Sequence, residues 1–443
     1  MSDSAVVDAS KEQNIDKSHP VVNPYSSSKT KYYTLGLLTV VYTFNFIDRQ
    51  LLAILQESIK IDLTLSDFQL GLMTGPAFAF FYVTMGIPMA RWADRANRRN
   101  VIAISIGLWS FMTAISGAAQ NFAHLALARV GVGIGEAGGS PPSHSILSDI
   151  FPPEQRASAI SFYSTGVSFG ILFGFLFGGW LNEFFGWRVA FVAVGLPGIL
   201  IAVLIRVTMK EPLRGLLENK QGAARSSLIE VVSVLCTRRS FIFLALASGL
   251  NAFAGYGGVN WQASFFIRSH GMSTGELGTY LALISGACGA IGVFGGGLLA
   301  DKLAPRDKRW YVWLPAITGF ICVPFIAYTY IASDPYVGLL SAVVPGILFN
   351  VYLGNAIATS HGLVGLRMRA TASAILFLVI NVIGLLLSSP VIGILSDYLS
   401  ADYGVESLRH TLTILLPTAM FLSACCFYLA SHNLREDLQR APS

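Results

Sequence analysis

Four charged side chains stand inside apolar stretches of the chain: Asp48, Arg49, Arg129 and Glu136. A charge at the centre of a bilayer costs about 2.5–3.5 kcal/mol on insertion scales, so such residues mark functional positions by default. A carboxylate in that setting can take up and release a proton, and a guanidinium can hold an anion. Arg129 and Glu136 are seven positions apart, two helical turns, and so share one helix face. Two acids and two bases make a locally neutral set. Salt bridges that only hold helices together are one reading. The other is a coupling site, where protonating Asp48 or Glu136 releases an arginine to hold an anionic group. The second is preferred, because six apolar stretches in the second half carry no charge at all, so helix packing does not require one.

The second half instead offers neutral groups within its apolar stretches, among them Asn251, Tyr256, Asn260, Trp261, Asn355 and Asn381. A cavity charged on one wall and apolar or aromatic on the other suits an amphiphile. Arg49, Arg129, Asn45, Tyr256, Asn260, Trp261 and Asn355 are therefore the candidate substrate contacts. Asp48 and Glu136 are the candidate proton carriers.

The elements that must position these residues are membrane helices. The chain is 53% hydrophobic and 12% charged, about half the charge of a soluble protein. Charge-free runs occupy 240–267, 277–300, 310–333, 335–366, 370–396 and 410–434, each 24 residues or longer. A helix crosses a bilayer with about 20 apolar residues, whereas a barrel strand needs only 9–11. The first half adds 68–90, 100–128, 157–182 and 189–205, with charge-interrupted stretches at 32–56 and 124–148. Twelve spans result. The implied fold is an all-α membrane protein of two six-helix bundles.

With the N-terminus inside, inside segments hold 24 Lys and Arg and outside segments four. This bias puts both termini in the cytoplasm, and explains the net charge of +5 without a nucleic-acid partner. The expected division is a disordered tail 1–30, a bundle 31–208, a cytoplasmic linker 209–239, a second bundle 240–432 and a tail 433–443. The five cysteines form no CxxC pair, so neither a metal nor a disulfide is expected. No phosphate-cradling loop is present, which leaves a gradient rather than ATP as the power source. His144 and Asp149 match the HxxxxD spacing of some acyltransferases, a membrane-enzyme alternative disfavoured by their place at the inner end of the fourth span. No cofactor and no catalytic residue are expected.

The halves repeat. Asp94 and Arg95, followed by Arg98 and Arg99, recur as Asp301 and Lys302, with the two Asp 207 positions apart. Arg156 recurs as Arg369, 213 positions on. Duplicated halves are a known transporter architecture. These loops resemble the cytoplasmic signature of the major facilitator superfamily, with Ala90 and Asn97 where that signature has glycine. The resemblance implies that Asp94, Arg95, Arg98, Arg156, Asp301, Lys302 and Arg369 latch the cytoplasmic side while the protein faces outward. Asn97 is expected to tolerate the left-handed turn. Gly166, Gly170, Gly174 and Gly178 in the fifth span form a groove for close helix contact, similar to the superfamily's antiporter glycine motif except for Phe175 in place of proline.

Asn45 to Arg49, then Arg129 to Glu136, then Phe151 to Arg156, resemble the Spinster branch, whose animal members carry lysophospholipids and sphingosine-1-phosphate. The resemblance implies a proton-coupled secondary transporter of an anionic or zwitterionic amphiphile. A related organic-anion symporter for a small carboxylate is the alternative. A monomer in a bacterial inner membrane is expected.

Overall fold

The computed structural model describes residue 25 and residues 27–214 and 228–440. Among the described residues every regular element is a helix. Span 1 is Ser28–Leu63, span 2 the pieces Asp67–Thr74 and Pro76–Arg95, and span 3 Arg98–Ser116. Span 4 is broken into Phe122–Glu136 and Ser140–Ile150; spans 5 and 6 are Pro153–Phe185 and Trp187–Thr208. A short helix, Leu228–Thr237, precedes span 7, Arg239–His270. Spans 8, 9 and 10 are Thr274–Leu303, Trp310–Ile331 and Pro335–Gly362. The last apolar segment, Thr371–Gln439, turns back at Gly404, whose φ of +54° suits a residue without Cβ. It therefore holds spans 11 and 12. Among the described residues the helices group into the twelve expected spans, and the even count puts the start of span 1 and the end of span 12 on one face, called the terminal face below.

The break in span 4 follows from its sequence. Pro141 and Pro142 occupy the first turn of the second piece, where a missing N–H costs nothing, but neither can continue the preceding helix. The second half bends by other means. Wide π turns interrupt span 8 at Ala282–Cys288 and span 11 at Asn381–Leu387, and a 3₁₀ turn interrupts span 10 at Phe349–Val351. Such turns recur at functional sites.

The glycine stripe of span 5 packs on span 1. A Cβ on Gly170 would lie 2.3 Å from the Phe46 Cβ, and one on Gly174 2.7 Å from that of Gln50. Only a bare backbone allows this approach, and it pins the face that span 1 turns to the interior. Gly179 points elsewhere, onto Thr274 of span 8 in the opposite half.

Each half has its own apolar core near the terminal face: Ile102, Trp109, Val132 and Tyr163 in the first, Leu244, Val312, Leu376 and Phe427 in the second. A third core, including Leu52, Leu55, Phe175, Phe265 and Leu412, joins the halves at the far face. The cross-half helix contacts are span 1 with 7, span 2 with 11 and span 5 with 8.

Two expectations need correction. The tail expected to be disordered through residue 30 contains Tyr25, which is 2% exposed, donates its hydroxyl to the Lys210 carbonyl and accepts from Thr34; residues 1–24 and 26 lie outside the described residues. The segment expected as a cytoplasmic tail from 433 continues the helix of span 12 through Gln439. Asp437 there accepts from the Ser240 backbone N–H at 2.9 Å and its hydroxyl at 2.6 Å, capping span 7 from across the fold. Asp437→Ala should remove a cap worth about 1 kcal/mol and lower the thermal midpoint in detergent, with Asp437→Asn intermediate. Asn97 does not adopt a left-handed turn: its φ is −70° and its side chain caps span 3 by accepting from the Asn100 N–H at 3.1 Å. Of the linker 209–239, residues 215–227 lie outside the described residues.

Candidate functional site

Span 1, pinned by span 5, delivers Asp48 and Arg49 to span 4. Neighbouring residues on a helix point about 100° apart, and Arg129 and Glu136 lie about 10 Å apart along theirs. The pairing is accordingly crosswise in two tiers. In one, Asp48 Oδ2 accepts from Arg129 Nη1 at 3.0 Å and Oδ1 accepts from the Thr113 hydroxyl at 2.7 Å. Both residues are 2% exposed, and both carboxylate oxygens are engaged. In the other, Glu136 Oε2 accepts from Arg49 Nε at 2.9 Å, with Nη2 in ion-pair contact at 2.7 Å. Glu136 Oε1 is buried with no hydrogen-bond partner among the described residues. The Arg49 side chain is 16% exposed, against 3% for Arg129. The tiers are thus unequal: in one both carboxylate oxygens are engaged, and the buried atom without a partner is Arg129 Nε; in the other a carboxylate oxygen is unused and the arginine is the more exposed.

A cavity of about 430 Å³ lies between the halves. The first half contributes Tyr42, Phe46, Arg49, Gln50 and the edge of Arg129; the second contributes Tyr256, Asn260, Gln262, Phe349 and Asn350, with Val167, Ile171, Ile284 and Leu416 as apolar wall. The wide turns of spans 8 and 11 and the 3₁₀ turn of span 10 all reach it through Ile284, Leu385 and Phe349. A larger groove of about 640 Å³ lies between spans 1, 5 and 6, but its wall is Phe162, Phe169, Phe173, Phe177 and other uncharged residues. It holds no group able to bind a proton or a headgroup, so the smaller cavity is the candidate site.

Of the residues expected to touch substrate, Arg49, Tyr256 and Asn260 line the cavity and Arg129 contributes an edge; Asn260 donates to the Ser389 hydroxyl at 2.8 Å. Asn45, Trp261 and Asn355 do not line it and are at most 5% exposed. Asn355 spends its amide on the Val351 carbonyl, 2.9 Å away in its own span. In this conformation helix facing turns them away from the cavity. Tyr42 and Phe46 were missed, although they precede Arg49 by seven and three residues and so share its face.

The expected latch divides. Asp94, Arg95, Asp301, Lys302 and Arg369 are exposed at the terminal face. Arg98 is 2% exposed and serves its own half: it donates to Asp149, to Ser145 at 2.8 Å, to Glu211 at 2.8 Å and to the Pro212 carbonyl at 2.9 Å. Arg156 donates to the Ser148 carbonyl, also in its own half, at 2.7 Å.

The cross-half clasp lies at the far face, and sequence reading missed it. Arg268 of span 7 donates from Nε to Glu57 at 2.6 Å and from Nη1 and Nη2 to Asp67 at 2.7 and 2.6 Å. Lys60 and the Ser396 hydroxyl also reach Asp67, each at 2.6 Å. Asp397 of span 11 accepts from the backbone N–H of Asp67 and Phe68 at 2.9 and 2.8 Å. Lys60 and Arg268 had served only as orientation markers, and nothing in their spacing announces a partner 201 positions away.

The family model described as Major Facilitator Superfamily matches residues 38–389. The chain belongs to the major facilitator superfamily. It is a transporter of the Spinster type, not an enzyme. An "MFS-type efflux pump" of Mycolicibacterium smegmatis is 34% identical over 91% of this chain and 93% of its own length. A sphingosine-1-phosphate transporter of Danio rerio is 26% identical over 93% of this chain and 86% of its own. The crystal structure of a bacterial homolog to the human lysosomal transporter Spinster, inward-facing and unoccupied, superposes with a TM-score of 0.81 at 33% identity, covering 93% of this transporter and 99% of that chain.

Proposed function

We propose that this transporter moves an anionic or zwitterionic amphiphile by alternating access, coupled to protons, with the headgroup at Arg49 and the proton at Glu136. The carrying observation is the unequal pair: Glu136 Oε1 is buried and unpartnered while Oε2 alone holds Arg49, and Arg49 is the tetrad's cation with appreciable exposure to the cavity. A proton on Oε1 removes the negative charge that Oε2 presents. Arg49 then turns its donors to an incoming phosphate or carboxylate, a charge-assisted contact. Asp48 and Arg129, expected to share these roles, are assigned to holding spans 1 and 4 in register.

The positive-inside bias supports a cytoplasmic terminal face and an inner-membrane setting. On that orientation the far face is outside, its clasp is shut, and the exposed signature loops belong to an inward-facing state. The cytoplasmic latch of Asp94, Arg95, Asp301, Lys302 and Arg369 would then form when the clasp opens. The protein is proposed to act as a monomer.

The apolar wall of Val167, Ile171, Ile284 and Leu416 favours an amphiphile over a small carboxylate, since a short organic acid leaves that surface unused. Purified protein in liposomes under an imposed proton gradient tests this. Single-chain phospholipids should compete for uptake at least tenfold better than short dicarboxylates. Competition by the dicarboxylates alone would establish the organic-anion alternative.

A further inference from the structure

Glu136 is one of several groups that hold Arg49. The guanidinium carbon lies 4.9 Å from the centre of the Phe46 ring, 4.7 Å from Phe78 and 4.8 Å from Tyr82. Phe78 and Tyr82 are one turn apart on span 2 and stack, with centres 5.4 Å apart and planes at 18°. Ring faces carry negative electrostatic potential and attract a cation most strongly away from water. Arg129 differs: one ring, Phe78, stands 5.7 Å away, and its charge is met by the saturated Asp48.

We propose that Phe46, Phe78 and Tyr82 are positioning residues that keep the Arg49 charge in the cavity wall while Glu136 is neutral. The inference rests on the reading that Glu136 takes the proton. A long cationic side chain that loses its counter-ion inside a membrane extends towards water. Rings prevent this by contacting the faces of the guanidinium and leaving its N–H edges unclaimed. A second carboxylate would also hold the cation, but it would occupy those edges and compete with the substrate anion. Among the described residues, no hydrogen bond takes Arg49 Nη1. The charged and titratable groups around the pair are Asp48 and Tyr42 on span 1, Tyr82 on span 2, Arg129 on span 4 and Tyr256 on span 7.

The sign follows from the charge states. With Glu136 ionised, Arg49 has a full counter-charge and the rings add little. With Glu136 neutral, the rings are the remaining attraction, so they stabilise the protonated state. Removing a ring should therefore make Glu136 harder to protonate.

The test uses the full chain in lipid nanodiscs. The infrared carboxylic-acid band of Glu136 is identified by its loss in Glu136→Gln and then titrated. Phe78→Leu, Phe46→Leu and Tyr82→Leu should each move its midpoint to lower pH, by about one unit for Phe78. Tyr82→Phe, which keeps the ring, should stay within about 0.3 unit. Phe46 and Tyr82 are only half-buried, so their Leu variants carry the test if Phe78→Leu does not fold. A general loss of packing lowers yield and melting temperature without moving this midpoint. An unmoved midpoint in the Leu variants overturns the proposal, as does a wild-type Glu136 that never titrates. Oleoyl lysophosphatidate, titrated in parallel, separates the substrate reading: a ring-dependent midpoint without lysophosphatidate binding supports the clamp and defeats the amphiphile.

Discussion

Under the proposed coupling, Glu136→Gln should abolish the dependence of transport on the proton gradient, whereas Asp48→Asn should lower transport without altering that dependence. The expectation follows from the two tiers. Glutamine is isosteric with the protonated acid and cannot carry a charge, so Arg49 is permanently released; substrate binding becomes insensitive to pH, while uphill accumulation stops. Asp48 is different in kind. Its oxygens are satisfied by Arg129 and Thr113, and truncating one member of a buried pair strands the other charge at a cost of about 3–5 kcal/mol. That cost falls on stability and on the register of spans 1 and 4. Arg49→Ala removes the proposed headgroup partner itself. A hydrogen bond to a charged group contributes about 1.5–3 kcal/mol, so affinity should fall roughly 10- to 150-fold. Uptake into proteoliposomes with and without an imposed pH gradient measures all three. Equal proton dependence in wild type and Glu136→Gln would sink the assignment.

Arg268→Ala should move the conformational equilibrium away from the state described here. In this state one guanidinium satisfies Glu57 and Asp67 together, and those acids are at most 9% exposed. Without it Glu57 loses the guanidinium it faces, and Asp67 keeps Lys60 and the Ser396 hydroxyl inside a closed interface. The penalty is again about 3–5 kcal/mol, and it applies only while the far face is shut, because an open face returns the carboxylates to water. A difference of 1.4 kcal/mol is tenfold in population; even half of the penalty, discounted for relaxation, shifts the equilibrium more than tenfold towards an open far face. Spin labels across the far ends of spans 1 and 7 should report longer distances by pulsed electron resonance, and a cysteine placed at Asn260 should become reactive from that side. Arg268→Lys should give an intermediate shift, since a point charge cannot serve two carboxylates in the same forked geometry. Unchanged distances in Arg268→Ala would mean that the apolar core of Leu52, Phe265 and Leu412 holds the far face by itself.

Composition and charge spacing determined much about this protein before any coordinates. Runs longer than 23 uncharged residues have few options but to be membrane helices, because every backbone group in a bilayer must find its partner within its own segment. The recurrence of Asp94 at Asp301 and of Arg156 at Arg369 declared the duplicated halves. The cost of an intramembrane charge singled out Asp48, Arg49, Arg129 and Glu136, and all four do meet. What sequence did not decide was who pairs with whom, which oxygen is left unused and which arginine borders the cavity. Those depend on the rotation of span 1, and that rotation is set by glycines in span 5 more than a hundred positions away. Asn45, Trp261 and Asn355 do not line the cavity in this conformation for the same reason: residue type says what a side chain can do, and only helix facing says what it can reach. The clasp at Arg268 was illegible altogether. Its partners come from spans 1, 2 and 11, and an ion pair between distant segments leaves no local pattern. The unequal tetrad and the shut far face therefore belong to the tertiary structure, where the packing of one half against the other gives the same charges different surroundings.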